Sequence, residues 1–392
     1  MQSSRSLKDT SVKFFTSEMP AAPGLNRNAG SLIDVLNACL VNGFGLQVAT
    51  RFVVTDKEGV MTVPQPFAGL RMSVIEISGC ADASFNGEYK LTEVSADGLR
   101  LSFPVDAPDG LVAGSSIQVK AAGAGWLKAF EDQASQQVVY RSASVKAGEH
   151  CLWLQDPAGA YARVRGYESM SAVDKGLGGF PADAQISGGG YWLKSLGAAR
   201  DVRWLVVADA QRFYVAPMAG YSSNVNNLSY YMRMFGALDP LVPTDSHAVM
   251  LCSGNSGSEG GSATANNVMT FSAGTSSASY CIARSLDGMS LSSVAAIWLL
   301  GGFGTSGNDA SCGPVAAGNL KRLIFAEKFV RHAASEYPRA KVPGLLHLMH
   351  TGEVTGRVTV MGHECLLFDG PNPGSGASAK YASAIDIEGP WQ

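Results

Sequence analysis

Charge is scarce in this chain. Asp, Glu, Lys and Arg together make up 16% of 392 residues, against about 25% in an average soluble protein. A free monomer ordinarily keeps a charged skin for solubility. So sparse a supply points to surface that meets other protein, or else to a β protein with many glycine turns. The formal net charge is -3, which gives no electrostatic reason to expect nucleic-acid or anionic-membrane binding. Long apolar runs are also missing. The longest, Val294 to Phe303, falls far short of the roughly 20 residues that span a bilayer as a helix, so no membrane insertion is predicted. Met1 to Phe15 carries scattered Lys and Arg but no apolar stretch of the kind a secretion signal needs, and synthesis in a cytoplasm is expected. Cys39, Cys80, Cys151, Cys252, Cys281, Cys312 and Cys365 include no C-x-x-C pair. An odd set of this kind reads as small buried hydrophobes in a reducing compartment.

Catalytic and cofactor signatures are few. Neither a G-x-S-x-G elbow nor a G-x-x-x-x-G-K-[ST] phosphate loop occurs. Gly302-Phe303-Gly304-Thr305-Ser306-Gly307 matches G-x-G-x-x-G after an apolar run. A dinucleotide site needs a helix to begin there, so that its amides meet the pyrophosphate. Gly313-Pro314 breaks any such helix within two turns, so the segment reads as a loop and no cofactor is predicted. His347, His350, Glu353, His363, Glu364 and Cys365 crowd one stretch. H-x-x-H is not the i,i+4 spacing of a helical zinc site, and Gly352, Gly356 and Gly362 interrupt the segment, so these read as strand residues and no metal is predicted. Lys321, Arg322, Lys328, Arg331, Arg339 and Lys341 form a locally basic stretch without interleaved aromatics. It reads as a solvated or interface face rather than a stacking platform for single strands.

What is plentiful is glycine, 45 of 392 residues, and short apolar segments. Residues 1–29 are polar and punctuated by Pro20, Pro23 and Gly24, an arm without a core of its own. Ser31 and Asp34 make a capping box before Leu32, Ile33, Leu36, Cys39 and Leu40, and Gly43 supplies the stop; an amphipathic helix is predicted from about 31 to 42. The period then changes to two. Arg51–Thr55, Met72–Ile77, Gly87–Val94, Leu99–Phe103 and Ser116–Val119 read as strands between turn residues, a small β-barrel spanning 49–121 inserted between the helix segment (30–48) and the rest. Residues 122–392 carry further strand candidates, among them Gln137–Tyr140, Cys151–Leu154, Tyr161–Val164, Tyr191–Leu193, Arg203–Val207 and Arg212–Val215. The fold class expected is mainly β: a small β-barrel module inserted in a larger β-sandwich-like domain, with one N-terminal amphipathic helix.

Several segments resemble a family of tailed-phage virion proteins described only as structural or tail-associated. Phe14-Phe15-Thr16-Ser17-Glu18-Met19-Pro20-Ala21-Ala22-Pro23 and the run from Ala29 to Gly45 carry the likeness best. Phe85-Asn86-Gly87-Glu88-Tyr89, Phe235-Gly236-Ala237-Leu238, Val342-Pro343-Gly344-Leu345-Leu346 and Asp386-Ile387-Glu388-Gly389-Pro390-Trp391 add to it, although Ala237 stands where the family element has Asp. The resemblance implies a virion component and brings no catalytic residue with it. It implies symmetric copies of the chain and other phage virion proteins as partners, in a tail, baseplate or portal-proximal ring. The contact residues expected are Phe14, Phe15, Met19 and Pro20 in the arm, reaching across a subunit boundary, and Pro390 and Trp391 at the other end. Two rival classes stay open: a receptor-binding or decoration protein that meets a host surface glycan through Tyr221, Tyr230, Tyr231 and the 253–267 loop, and a cell-wall or polysaccharide hydrolase whose carboxylates lie apart in the chain.

Overall fold

The computed structural model describes residues 5–195, 201–218, 231–254, 280–284, 294–298, 325–332, 338–351, 356–370 and 381–391. Its strands are antiparallel throughout, with one short helix. The largest sheet runs, in spatial order, Lys13–Thr16, Trp204–Ala208, Arg212–Pro217, Arg233–Ala237, Val249–Cys252, Tyr280–Ile282, Val294–Trp298, Phe325–His332, Ala340–Thr351, Tyr381–Asp386, His363–Gly370 and Gly356–Val360. A five-stranded meander (Trp126–Asp132, Gln137–Ser142, Cys151–Gln155, Tyr161–Tyr167, Gly190–Leu193) packs on it. Inward Ala162, Val164 and Gly166 alternate with outward Tyr161, Arg163, Arg165 and Tyr167, the period-two pattern of a sheet with one face in the core. Aromatic edges fill the gap between the sheets. Trp126 and Trp192 meet Phe213 edge-on, at 5.2 and 5.9 Å between centroids. Each buried indole N–H finds a carbonyl, Trp126 that of Asp209 and Trp192 that of Cys252, both at 2.8 Å, as burial of a donor requires.

The arm is part of this core, which corrects the expectation of a coreless extension. Lys13–Thr16 pairs in register with Trp204–Ala208 as the outer strand of the main sheet. Phe14, Phe15 and Met19 are 1%, 2% and 3% exposed. Adjacent phenylalanines face opposite sides of a strand, and both sides are covered: Phe15 lies 5.9 Å from Phe44, and the Arg357 guanidinium sits over Phe14. A strand covered on both faces reads as an apolar run rather than an alternation.

The helix forms where predicted but is capped by different residues. Ser31–Leu36 is α-helical and Asn37–Asn42 continues as a wider π turn. Gly30 holds the N-cap position at φ +80 with no side-chain cap, and Asp34 is exposed. Ser31 Oγ turns back to donate to the Asn26 carbonyl at 2.8 Å. The first-turn amides go instead to Asp156, whose Oδ2 accepts from Leu32 N at 2.7 Å and Ile33 N at 3.3 Å. Lys194, fully buried beside it, donates to Asp156 Oδ1 at 2.5 Å and to the carbonyls of Asn28 and Pro157 at 3.0 and 2.9 Å. Burial pushes the Asp156 carboxyl up, opposed by the Lys194 charge and the two amides. The widening of the helix falls where Tyr140 Oη donates towards Ile33 O and Asn37 Oδ1, at 3.3 and 3.0 Å.

The small module has its own core, built on Phe52, Met61, Ile75, Tyr89, Leu101, Phe103 and Val119. Its strands form two facing sheets rather than a closed barrel. One orders Phe44–Val48, Gln118–Ala121, Val74–Ser78 and Gly87–Lys90; the other orders Glu93–Val94, Arg100–Pro104, Glu58–Thr62, Arg51–Thr55 and Gly110–Leu111. The chain crosses between sheets at Ala49-Thr50 and at Leu91-Thr92, where successive amides bond to different sheets, as strands turning a sandwich corner do. Strand Phe44–Val48, assigned from sequence to the helix segment, joins the module and pairs with its exit strand. Gly59 is required inside: a Cβ there would lie 2.7 Å from Phe103 Cε2 and 3.1 Å from Phe52 Cε2.

Asp156 is the point at which this architecture is most exposed to substitution. Asp156→Ala strands the Lys194 charge in a dry site and uncaps the helix, a loss expected at about 3–5 kcal/mol. Urea denaturation checks it. The double variant D156A/K194M is expected to recover part of the loss, because the uncompensated charge is then gone.

Candidate functional site

The two ends of the chain contribute less open surface than their sequence suggests. Phe14, Phe15, Met19 and Trp391 are all buried within the chain itself, Trp391 at 8% exposure. The indole of Trp391 donates to Asp386 O at 3.0 Å and stands edge-on to Tyr214, 5.6 Å away. Gly344, at φ +69, leaves room for that indole, which a Cβ would strike. These four side chains therefore serve the core and are not free to contact a neighbour. Pro20 and Pro390 remain exposed.

Pro390 and Trp391 border a recess of about 360 Å³ whose lining includes Glu327, Lys341, Met361, His363, Cys365 and Asp386. Part of the histidine-rich stretch gathers here. His363 Nδ1 lies 2.9 Å from Asp386 Oδ2, and Lys341 Nζ donates to Glu327 Oε1 at 3.0 Å. Alternation on strand His363–Gly370 sends Glu364 the other way, where Arg71 and Arg357 both bond its carboxylate. Burial pushes the Cys365 thiol up to about 12, which disfavours a free thiolate nucleophile there. Among the described residues no cluster of His, Cys, Asp and Glu is arranged to hold a metal. His347 and His350 lie on strand Ala340–Thr351, with side chains outside the described residues, as is Glu353. Chemically, the recess offers one histidine–carboxylate pair and one lysine–glutamate pair around an apolar rim.

Among its described residues, the basic stretch is solvated only in part, at the half-buried Arg331 and Lys341. Lys328 and Arg339 are 1% and 3% exposed. Burial holds Lys328 well below the usual lysine range, and Arg339 forms a two-pronged bond with Asp245 at 2.7 and 3.0 Å. Lys321, Arg322, Gly302–Gly307, Tyr221, Tyr230 and residues 255–267 lie outside the described residues. Tyr231 packs against Leu193 and Tyr161.

Two surfaces that sequence patterns did not single out are better candidates. One is the outward face of the five-stranded sheet. Cross-strand register sets Trp153 beside Arg165 and Arg163 beside Tyr191, and the Arg163 guanidinium stacks 4.0 Å above the Tyr191 ring. The other is the outer strand Phe44–Val48 of the module, which shows solvent Leu46 (61%) and Val48 (50%). Both were hidden because outwardness depends on pairing partners that the local sequence does not name. A scan against protein-family models finds no match for this chain, and no curated protein matches it.

The thiols give a direct check of the packing around these surfaces. Burial pushes Cys80 and Cys252 up to about 11 and Cys281 to about 12. In native protein near pH 8, a maleimide is expected to spare Cys39, Cys80, Cys151, Cys252, Cys281 and Cys365, all of them buried. After denaturation all seven cysteines of the chain should react. Mass spectrometry of the labelled peptides reads the difference.

Proposed function

We propose that this protein is a structural component of a tailed-phage virion, in the tail, baseplate or a portal-proximal ring, held there by symmetric contacts with its own copies and with other virion proteins. The observation that carries this reading is the uncharged outer strand of the module, whose only irregularity is a shift of register near Gly45. A strand at the end of a sheet is a template for pairing, and monomers ordinarily guard it with Lys, Pro or a short length. Phe44–Val48 has five residues, no charge and no proline, and turns two aliphatic side chains to water. On a chain with so little charge, that edge is suited to burial against a neighbour. The likeness of the opening and closing segments to phage virion proteins supports the same conclusion. The arm has no part in it, since its apolar side chains are used within the chain.

Leu46→Lys with Val48→Lys tests this. Both side chains are exposed, so the isolated protein should melt within about 0.5 kcal/mol of the parent. Incorporation into particles, read by peptide mapping of purified virions, should fall severalfold. Absence of the parent protein from purified particles, or full incorporation of the double variant, would sink the proposal.

The outward face of the five-stranded sheet supports a second reading, contact with a host surface glycan. Trp153 and Tyr191 supply aromatic surface, with Arg163 holding the Tyr191 ring in place, the residue types enriched at recognition sites. A glycan array decides it: selective binding that Trp153→Ala abolishes supports a receptor-binding role, and a blank array removes it.

A further inference from the structure

At one corner of the sandwich, where the five-stranded sheet meets the main sheet, two imidazoles face each other. His150 immediately precedes strand Cys151–Gln155, and His247 lies two residues ahead of Val249–Cys252. Their ring centroids are 6.4 Å apart at 76°, and Phe180 closes on His150 edge-on at 6.3 Å. Both ring nitrogens of His150 and Nδ1 of His247 are shut away from solvent without a hydrogen-bond partner. A buried polar atom left unpaired is uncommon and calls for a reason.

The surrounding charges are already matched. Glu168, which follows Tyr161–Tyr167, bonds Arg284 through both carboxylate oxygens. Arg339 is held by Asp245 and donates to the Arg284 carbonyl at 2.5 Å. Phe180 brings no charge, and the Ala147 carbonyl approaches His150 outside hydrogen-bonding geometry. Among the described residues, the corner thus holds two cations matched by two anions, beside a His150 ring whose nitrogens have no hydrogen-bond acceptor. Glu168 is also the root of the hairpin Ser169–Ala172 and Lys175–Leu177, where its amide bonds the Leu177 carbonyl at 3.0 Å.

We propose that this corner is an acid-operated latch between the two sheets, closed while His150 is neutral and opened when it takes up a proton. Opening releases the Glu168 hairpin from Arg284. Burial pushes His150 down to about 4; His247 and Arg284 add to that, and Glu168 opposes it. The sign follows from linkage. The opened chain binds a proton near the ordinary histidine value of about 6.5 and the latched chain only near the depressed one. Stability at the corner is therefore complete above the ordinary value and is lost as pH falls towards about 4. The latch does not depend on the virion reading. The module packs on a separate core, so it is expected to keep its protection when the corner opens.

Hydrogen exchange of the full chain at about pH 7 and about pH 5, corrected for intrinsic rates, tests the latch. Peptides covering 145–151, 166–180 and 240–250 should lose protection about tenfold at the lower pH, while 51–62 and 100–105 hold theirs. His150→Phe, which keeps the ring volume and removes the titrating group, should abolish that loss. If it does not fold, His247→Phe takes its place and should reduce the loss. Equal protection of the three corner peptides at both pH values overturns the proposal. So does an undiminished loss in the folded variant.

Discussion

A carboxylate taken out of water is costly unless its charge is met and its lone pairs are used. Asp156 meets both conditions, and in doing so it joins pieces of chain that have little else in common. One oxygen caps the helix at Leu32 and Ile33; the other receives Lys194, whose remaining protons hold the carbonyls of Asn28 and Pro157. The N-terminal segment, the helix and the five-stranded sheet converge on this one pair. Because every donor on the ammonium has an acceptor, removing either partner leaves the other worse off than an apolar pair would be. That asymmetry makes the site a fixed point rather than a contribution to be summed with others.

Around it the molecule divides into two cores joined by polar contacts. The module packs on its own aromatic cluster, with Phe52 and Tyr89 both against Phe103. It meets the main sheet through Lys13 with Glu88, Arg71 with Glu364, and Lys90 with the Glu388 carbonyl. Burial pushes Lys90 down to about 8, against the pull of Asp9, Glu388 and Asp386. Apolar contacts cross the seam as well: Phe44 lies against Phe15, and Met72 packs in the main core. The ion pairs add fixed points that orient the module on the main sheet.

The parts legible in the sequence were those decided locally. Strand Arg51–Thr55 has the bounds its alternation predicts, and the helix begins where an apolar period of 3.6 begins. What local pattern could not supply was the identity of partners. The cap on the helix comes from Asp156, 124 residues downstream of Leu32, so a plausible capping box at Ser31 and Asp34 was the wrong one. Strand Glu58–Thr62 was missed because its hairpin turns through Asp56 and Lys57, both at positive φ, without the Asn-Gly or Asp-Gly that usually marks such turns. Phe14-Phe15 read as loose because consecutive phenylalanines suit only a strand covered on both faces. The outward aromatic face and the paired imidazoles depend on register and on contacts between sheets, which no single segment encodes.

Burial of the arm changes which kind of assembly this chain can support. An extended arm would bind a neighbour by ordering itself on arrival, at an entropic cost that apolar burial must exceed. Here Phe14, Phe15 and Met19 are ordered within the chain before any neighbour is met, and Trp391 packs beside the arm's own sheet edge, against Tyr214 and Gly344. In the assembly proposed above, contacts with other copies would then fall to preformed surfaces: the uncharged strand at Leu46 and Val48, and the outward face of the five-stranded sheet. Preformed surfaces bind with a smaller ordering cost, which would favour closed, repeated contacts over flexible tethering.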